Sequence, residues 1–395
     1  MMSRTHGALL LEFARVTILR RVVLVLAIAV LFPYFWAPVY RFPAPHAFSG
    51  SALWNPYAHL HGTWQLANLH AHGRSWSGLT NGRQSDADVV RAYRERGYAV
   101  AGLSDYQRLA GHGGIAAIPI YEHGYNIPKF HQLAIGAHRI EWLDFPFWQG
   151  LSQEQYILDR VKQSAKLVAI AHPRSAYTAA DLRALTGYQL LEVVNGHFAA
   201  EDLWDEALSS GHAVWIVAND DTHDVTDPQR MAVAWNMIDA PSGNPEEVIA
   251  ALGAGRAYAV SGNGEHKDGI DAVVTGVELR DGTLVVSSAG TPATMVFIGQ
   301  NGVVRKTAEQ ATRATYTVTP QDPYIRIVIR TPNTVMYLNP VIRYDGVRLS
   351  SPLASRDGNA TWLQRIILAL GCIALAPVLW RRHAMAAPSS RSGAA

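Results

Sequence analysis

The chain has a single cysteine, Cys372, in 395 residues, so neither a disulfide framework nor a cysteine-built metal site can form within it. A formal net charge of +2 gives no general field to recruit nucleic acid, and the plentiful Trp and Tyr lack the basic stripe that accompanies base stacking. No glycine-rich phosphate loop of the Walker type is present, and Ser75 and Ser77 do not sit in a nucleophile elbow. There is no repeat at solenoid spacing and no long low-complexity tract. Any metal must rest on histidine and carboxylate. Histidine is well supplied, at 16 residues, and much of it falls at predicted strand ends rather than on helix faces.

Two segments are apolar enough to enter a membrane. The first, 22–40, carries no charge, and the second, 362–380, is interrupted only by Arg365 near its start, where a long side chain can snorkel. Both end in aromatic residues, as interfacial anchoring favours. Arg4, Arg15, Arg20 and Arg21 precede the first run; Arg381, Arg382 and Arg391 follow the second. The positive-inside rule then predicts cytoplasmic segments at 1–21 and 381–395, two transmembrane helices in contact with lipid, and an extracytoplasmic body, periplasmic in a Gram-negative cell. A cleaved signal peptide fits the first run less well, because it is long for such a segment and no small-x-small site follows. A buried helix fits the second less well, given the basic stop after Trp380.

Residues 41–62, rich in Pro, Gly and aromatics, read as a linker. From 63 to 262 short apolar runs alternate with amphipathic stretches, the pattern of strand and helix units around a parallel sheet. The strand candidates are TWQLANL, YAVAGLS, IAAIPIY, HQLAIG, LVAIAH, YQLLEVV and AVWIVAN, enough for a barrel. Between them, SDADVVRAYRERG has Ser85 as N-cap and Gly97 as stop, SQEQYILDRVKQSA starts at Ser152, AAEDLWDEALSSG ends on Gly211, and NPEEVIAALGAG ends on Gly253 or Gly255. From 263 to 355, strands separated by Asp-Gly and Asn-Gly turns predict a small antiparallel β-sandwich.

The strand ends carry the chemistry. NLHAH presents His70 and His72, LSDY Asp105 and Tyr106, IYEHG Glu122, FHQLAIG His131, AIAHPR His172, EVVNGH Glu192 and Asn195, and NDDTH Asp221 and His223. Residues i and i+2 of a strand share a face, so His70 with His72, and Asp221 with His223, can each aim two ligands at one place. A polynuclear metal centre at the carboxyl ends of the strands is the leading expectation.

In order and type these motifs resemble the PHP family, the polymerase and histidinol phosphatase domain of metal-dependent phosphoesterases, over roughly residues 64–260. The resemblance implies a distorted barrel of seven βα units with a metal cluster at its mouth. It implies two divalent ions, Zn, Mn or Fe, bridged by Glu122, with His70, His72 and Asp221 completing the first and His131 with His172 the second. A hydroxide bridging them would attack a phosphomonoester or phosphodiester. Where the family has ligands for a third metal, this chain has Ser77, Tyr106 and His223, so the expected site is dinuclear. His223 is then free to bind substrate or protonate the leaving group, while the Tyr106 hydroxyl and Arg174 are placed to meet phosphoryl oxygens and Asp105 joins them in the catalytic set.

Other readings stay open. His123 should point away from Glu122, and His123 and His138 are rival placements for His131. Glu192 and Asn195 brace the mouth or touch substrate. His112 and His197 are loop residues near it. Asp220 with Asp221 also admits a general acid and base pair, as in glycosidases, though the surrounding histidines favour metal. The expected protein is a membrane-anchored, extracytoplasmic phosphoesterase acting on a phosphorylated, envelope-associated substrate. The alternatives are a catalytically degenerate binding module and a metal-dependent amidohydrolase or deacetylase, whose usual bridging lysine has no counterpart here.

Overall fold

A computed structural model describes residues 3–110, 118–262 and 270–384. The chain divides into two compact units, one of residues 42–354 and one built from the two ends. In the latter, α1 (Ser3–Trp36) leads into β1 (Val39–Arg41). Near the other end of the chain, a short strand at Ser355–Asp357 pairs antiparallel with β1, and Arg41 Nε donates to Asp357 at 2.6 Å. The helix that follows, Gly358–Ala384, returns Arg365 to the ring of Trp36 at 4.1 Å. Among the described residues, Thr17–Trp36 is long and apolar enough to cross a bilayer. The expected span at 362–380 falls in the C-terminal helix, whose side chains beyond 374 lie outside the described residues, as does His112.

The body begins with β2 (Ala52–Trp54) and β3 (Trp64–Asn68). The helix α2 (Asp86–Glu95) starts at Ser85, whose hydroxyl accepts from Asp88 N, and buries Val89, Val90 and Tyr93 on one face. Next come β4 (Val100–Ala101), β5 (Ile120–His123), β6 (Gln132–Ile135), α3 (Leu151–Lys162) and β7 (Leu167–Ile170). The start of α3 is not the expected Ser152: Gly150 caps it, with the Gln153 side chain accepting from Gly150 N at 2.7 Å. After α4 (Ala179–Ala184), β8 (Leu190–Asn195), β9 (Phe198–Ala199), α5 (Glu201–Ser209) and β10 (Trp215–Asn219), the chain continues through β11 (Ala234–Asp239), α6 (Pro245–Gly253) and β12 (Ala257–Gly262). Asn244 caps α6 and Pro245 occupies its first turn.

Strands lie at all seven expected stretches, the third from Ile120, since 115–117 of IAAIPIY lie outside the described residues, but they do not make a continuous parallel barrel. One sheet has the order β10-β8-β7-β6-β5, in which β5–β6 and β6–β7 are antiparallel. The β5–β6 connection, Gly124 to His131, is too short for a crossover helix, which forces that pairing. The pair β3-β4 belongs to another sheet, tied to the first by two isolated bridges, Ala71 to Thr222 and Tyr106 to Glu122.

The remaining strands are β13 (Ala272–Arg280), β14 (Thr283–Gly290), β15 (Ala293–Gly299), β16 (Val303–Ala311), β17 (Arg313–Thr317), β18 (Tyr324–Arg330) and β19 (Thr334–Tyr344), with β20 the short strand already met at Ser355–Asp357 and α7 the helix after it. The second sheet runs β16-β15-β18-β19-β12-β11-β3-β4, straight through the expected boundary at 262, because β12 pairs with β19 from Tyr258↔Leu338 to Gly262↔Thr334. Strands β13-β14-β17 pack as a separate small sheet. One apolar core spans both regions, from Tyr93, Trp235 and Tyr258 to Phe297, Ile327 and Leu338.

Candidate metal centre

Five expected ligands gather around the sixth, the buried carboxylate of Glu122. Glu122, within β5, splits its two oxygens between two ligand sets. Oε2 lies 3.3 Å from His70 Nε2 and 3.1 Å from His72 Nε2, and each of those nitrogens is 3.2 Å from Asp221 Oδ1. Oε1 lies 2.7 Å from His131 Nδ1 and 2.9 Å from His172 Nε2. The two groups able to hold a metal ion are His70, His72, Glu122 and Asp221, and Glu122, His131 and His172.

The backbone is bent to achieve this. His172 and Asp221 sit just past β7 and β10 in left-handed conformations, φ 27° and 50°, at a cost of order 1–3 kcal/mol each. Gly124, at φ 135°, lets His131 come close: a Cβ there would stand 2.2 Å from the imidazole. The link Asp221 N to His70 O, 3.0 Å, and His72 N to Thr222 O, 2.9 Å, hold the first and last motifs in register.

The donor set fits a divalent cation. Glu192, fully buried, accepts from His70 Nδ1 at 3.0 Å, which leaves the Nε2 lone pair facing two carboxylate oxygens. His70 Nε2, Glu122 Oε2 and the Nδ1 atoms of His72, His172 and His223 are buried without hydrogen-bond partners. Contacts of 3.1–3.3 Å between ligand atoms are also the edge lengths of a tetrahedron whose centre is about 2 Å from each corner. Burial pulls His70 and His72 down, but the Asp221, Glu192 and Glu122 carboxylates outweigh it for His70, and Asp221 with Glu122 lifts His72 to about 9. Burial raises Glu122 and Asp221, yet the surrounding imidazoles hold both well below the usual carboxylate range.

Around the sets, Tyr106 stacks on His72, with ring centroids 4.6 Å apart, and meets His131 edge-on at 5.8 Å. His223 lies against His72 at 4.3 Å. Burial and the neighbouring His72 depress His223 to about 4, so at neutral pH it offers a neutral imidazole rather than the standing proton donor expected for a leaving group. The Arg174 guanidinium donates to Asp202 and to Ala199 O at 2.9 Å, and the residue lines a small cavity together with His172 and Glu192. Asp105, fully buried, accepts from Gly73 N at 2.9 Å and pairs with Arg108, so it fixes the turn after His72 instead of entering the cluster. Ser77 is exposed on a turn, and no third metal-competent group appears among the described residues.

Several open readings resolve. His123 turns away, to Gln132 Oε1 and Leu143 O, both at 2.9 Å, and His138 is exposed. Asp220 is no general acid partner: it accepts from the amides of Ala232, Val233 and Ala234 and from Tyr93 Oη, and burial lifts it to about 6 against those bonds. A cavity of about 700 Å³ is lined by Asp221, His223, Asn195, His197, Phe198 and Arg230. A smaller one, about 190 Å³, lies beside His172 and Glu192 and shares Asn195 and Phe198 with it.

Sequence reasoning missed the braces. Asn219 accepts from Leu69 N and donates to Glu192, both at 2.7 Å, and Asn68 accepts from Asp220 N at 2.9 Å while donating to His70 O at 3.0 Å. The available signal was a polar residue inside an apolar strand, Asn68 in WQLAN and Asn219 in WIVAN.

No family model and no curated protein matches the chain. Among solved structures, a two-domain protein containing a predicted PHP-like metal-dependent phosphoesterase, from Bacteroides vulgatus, is similar over 80% of this chain and 99% of its own, at 13% identity and a TM-score of 0.38.

Proposed function

We propose that this protein is a membrane-anchored, metal-dependent phosphoesterase whose body acts outside the cytoplasm. One observation carries the reading: Glu122 directs one oxygen to each of two buried ligand sets, and where His70 Nε2 faces Glu122 Oε2 both atoms lack a hydrogen-bond partner. Divalent cations held there would activate water at neutral pH and offset charge on phosphoryl oxygens. His70, His72 and Asp221 would hold one and His131 with His172 the other, Glu192 fixing the His70 tautomer and, through His172 N at 2.7 Å, the HP turn.

The substrate enters the 700 Å³ cavity, where His223 and Asn195 meet its polar groups and exposed Phe198 and Arg230 flank the entrance. Tyr106, whose ring meets His72 of one set and His131 of the other, contacts a non-bridging oxygen. Burial, Glu122 and Asp221 all push its proton affinity up, so it acts as a donor. Arg174 and Asp105 have structural roles in this reading. The occurrence of tyrosine where the resembled family has histidine also supports a second reading, a binding module without turnover.

The test is metal-reconstituted full chain assayed on chromogenic phosphomonoesters and diesters. Release abolished by Glu122→Gln and His172→Ala supports the enzyme. Metal binding without turnover on that panel favours the binding module, and acetate release from acylated sugars favours a deacetylase. A periplasmic-reporter fusion after residue 354 that stays inactive refutes the location.

A further inference from the structure

We propose that three loops beside the metal centre, 74–80, 124–130 and 138–150, form a basic aromatic rim that docks on an anionic lipid bilayer. Large apolar side chains stand in solvent on all three: Trp76, Leu79, Tyr125, Ile127, Trp142 and Trp148 are each between 43% and 89% exposed. They form one surface. Trp76 meets Trp142 edge-on at 6.1 Å, the Tyr125 hydroxyl donates to Trp142 O at 2.9 Å, and Ile127 N donates to Pro146 O at 2.8 Å.

The loops hold these side chains outward by design of their polar groups. Buried Asp144 accepts from Tyr125 N at 2.7 Å, from Asn126 Nδ2 at 3.0 Å and from Gln149 Nε2 at 2.8 Å, tying two of the loops together. Trp76 Nε1 donates to Tyr106 O at 2.8 Å, so a single residue separates the rim from His72.

Charge selects the partner. The carboxylates in these loops, Glu141 and Asp144, are both buried, and Glu141 is paired with Arg160 at 2.9 Å. What the loops expose in charge is Arg74, Lys129 and Arg139, all cationic. Indole and phenol groups with an apolar body and a polar tip partition to the headgroup level of a bilayer, and neighbouring cations are drawn to anionic lipid. A contiguous apolar patch marks an interaction surface, and a chain carrying Thr17–Trp36 keeps a bilayer at high local concentration, so weak surface binding suffices. The inference rests on the membrane-anchored reading for that proximity and is independent of the chemistry at Glu122.

The experiment uses full chain in nanodiscs, in a Cys372→Ser background, with an environment-sensitive fluorophore on a cysteine placed at Leu79, Ile127, Val304 or Leu26. The expected result in phosphatidylglycerol discs is a blue shift and loss of emission to doxyl-lipid quenchers at 79, 127 and 26, with neither at 304, and reversal at 79 and 127 in pure phosphatidylcholine discs or on Trp76→Ala/Trp142→Ala/Trp148→Ala substitution. Quenching at 26 alone overturns the docking while leaving the anchor standing. No quenching at 26 overturns the anchor itself, and with it the proximity the docking needs. Equal quenching at 304, or no dependence on lipid charge, overturns the rim as the selective surface.

Discussion

Two clusters of charge are buried in the body of this protein, and they are built on opposite terms. In the first, between α5 and β18, Arg326 gives Nε and Nη2 to the two oxygens of Asp205 at 2.8 and 2.6 Å and Nη1 to Glu201 at 2.8 Å, while Tyr324 Oη donates to Asp205 at 3.0 Å. Each of these donors has found an acceptor within the protein. In the second, around Glu122, imidazoles and carboxylates crowd together, and His70 Nε2, Glu122 Oε2 and the Nδ1 atoms of His72, His172 and His223 are left without hydrogen bonds. Burying charge is tolerable only when it is paired, so the first cluster is a finished structural joint, whereas the second has the donor set of a site that could hold a metal ion. Buried charge alone does not mark a functional site. Incomplete satisfaction within a convergent ligand set does.

That contrast can be broken at either end. The largest expected effect is on the finished joint: Asp205→Ala leaves Arg326 buried without its main partner and should cost about 3–5 kcal/mol in denaturant unfolding, with bound metal per folded chain unchanged. Loss of metal in that variant would mean that the clusters are one cooperative unit. At the other end, Glu122→Gln removes the carboxylate common to both ligand sets; metal content measured by elemental analysis should fall at both, and phosphoester hydrolysis by about a hundredfold or more. Retention of one full equivalent of metal would show that the sets are not bridged.

Smaller effects separate ligand from brace. Glu192→Gln keeps the shape but weakens the acceptor on His70 Nδ1, and metal affinity by competition with a chelator should drop about 10–100-fold with little change in melting temperature of the metal-free protein. The least is a pH effect. In the metal-free protein His72 is lifted from 6.5 to about 9 by Asp221 and Glu122 against burial, so its contribution to stability is fully present below pH 6.5 and lost as pH rises through 9. Metal competes with that proton, and the stabilisation by added metal should therefore grow across pH 6.5–9, by at most about 1.4 kcal/mol per pH unit for one proton. The Arg326 joint holds no histidine, and a variant lacking His72 should lose that slope while keeping the joint.

Much of this was readable in advance because it is local. Apolar runs located the strands and Ser85 announced its helix, and the ligands of NLHAH and NDDTH were foreseen as groups, although His70, His72, Asp221 and His223 stand just past the ends of β3 and β10 rather than on a strand face. What was not legible depended on partners distant in sequence. Nothing local in Arg174 tells that Asp202 will claim it, nor in Asp105 that Gly73 N and Arg108 will. The boundary at 262 looked clean because helical periodicity ends there, yet backbone pairing between β12 and β19 carries the sheet across it.

By itself, then, the sequence determined which residue types could meet a metal, their chain order, the lack of any cysteine-based alternative, and the apolar stretch able to enter a bilayer. Only the tertiary structure decided that Glu122 gives one oxygen to each ligand set, that His223 is held neutral by burial beside His72, and that Glu192, Asn219 and Asn68 brace the ligands from behind. The reason is physical. Composition and strand period are properties of neighbours in the chain, whereas desolvation, hydrogen-bond satisfaction and the direction of a carboxylate oxygen are set by groups that folding brings from far along it.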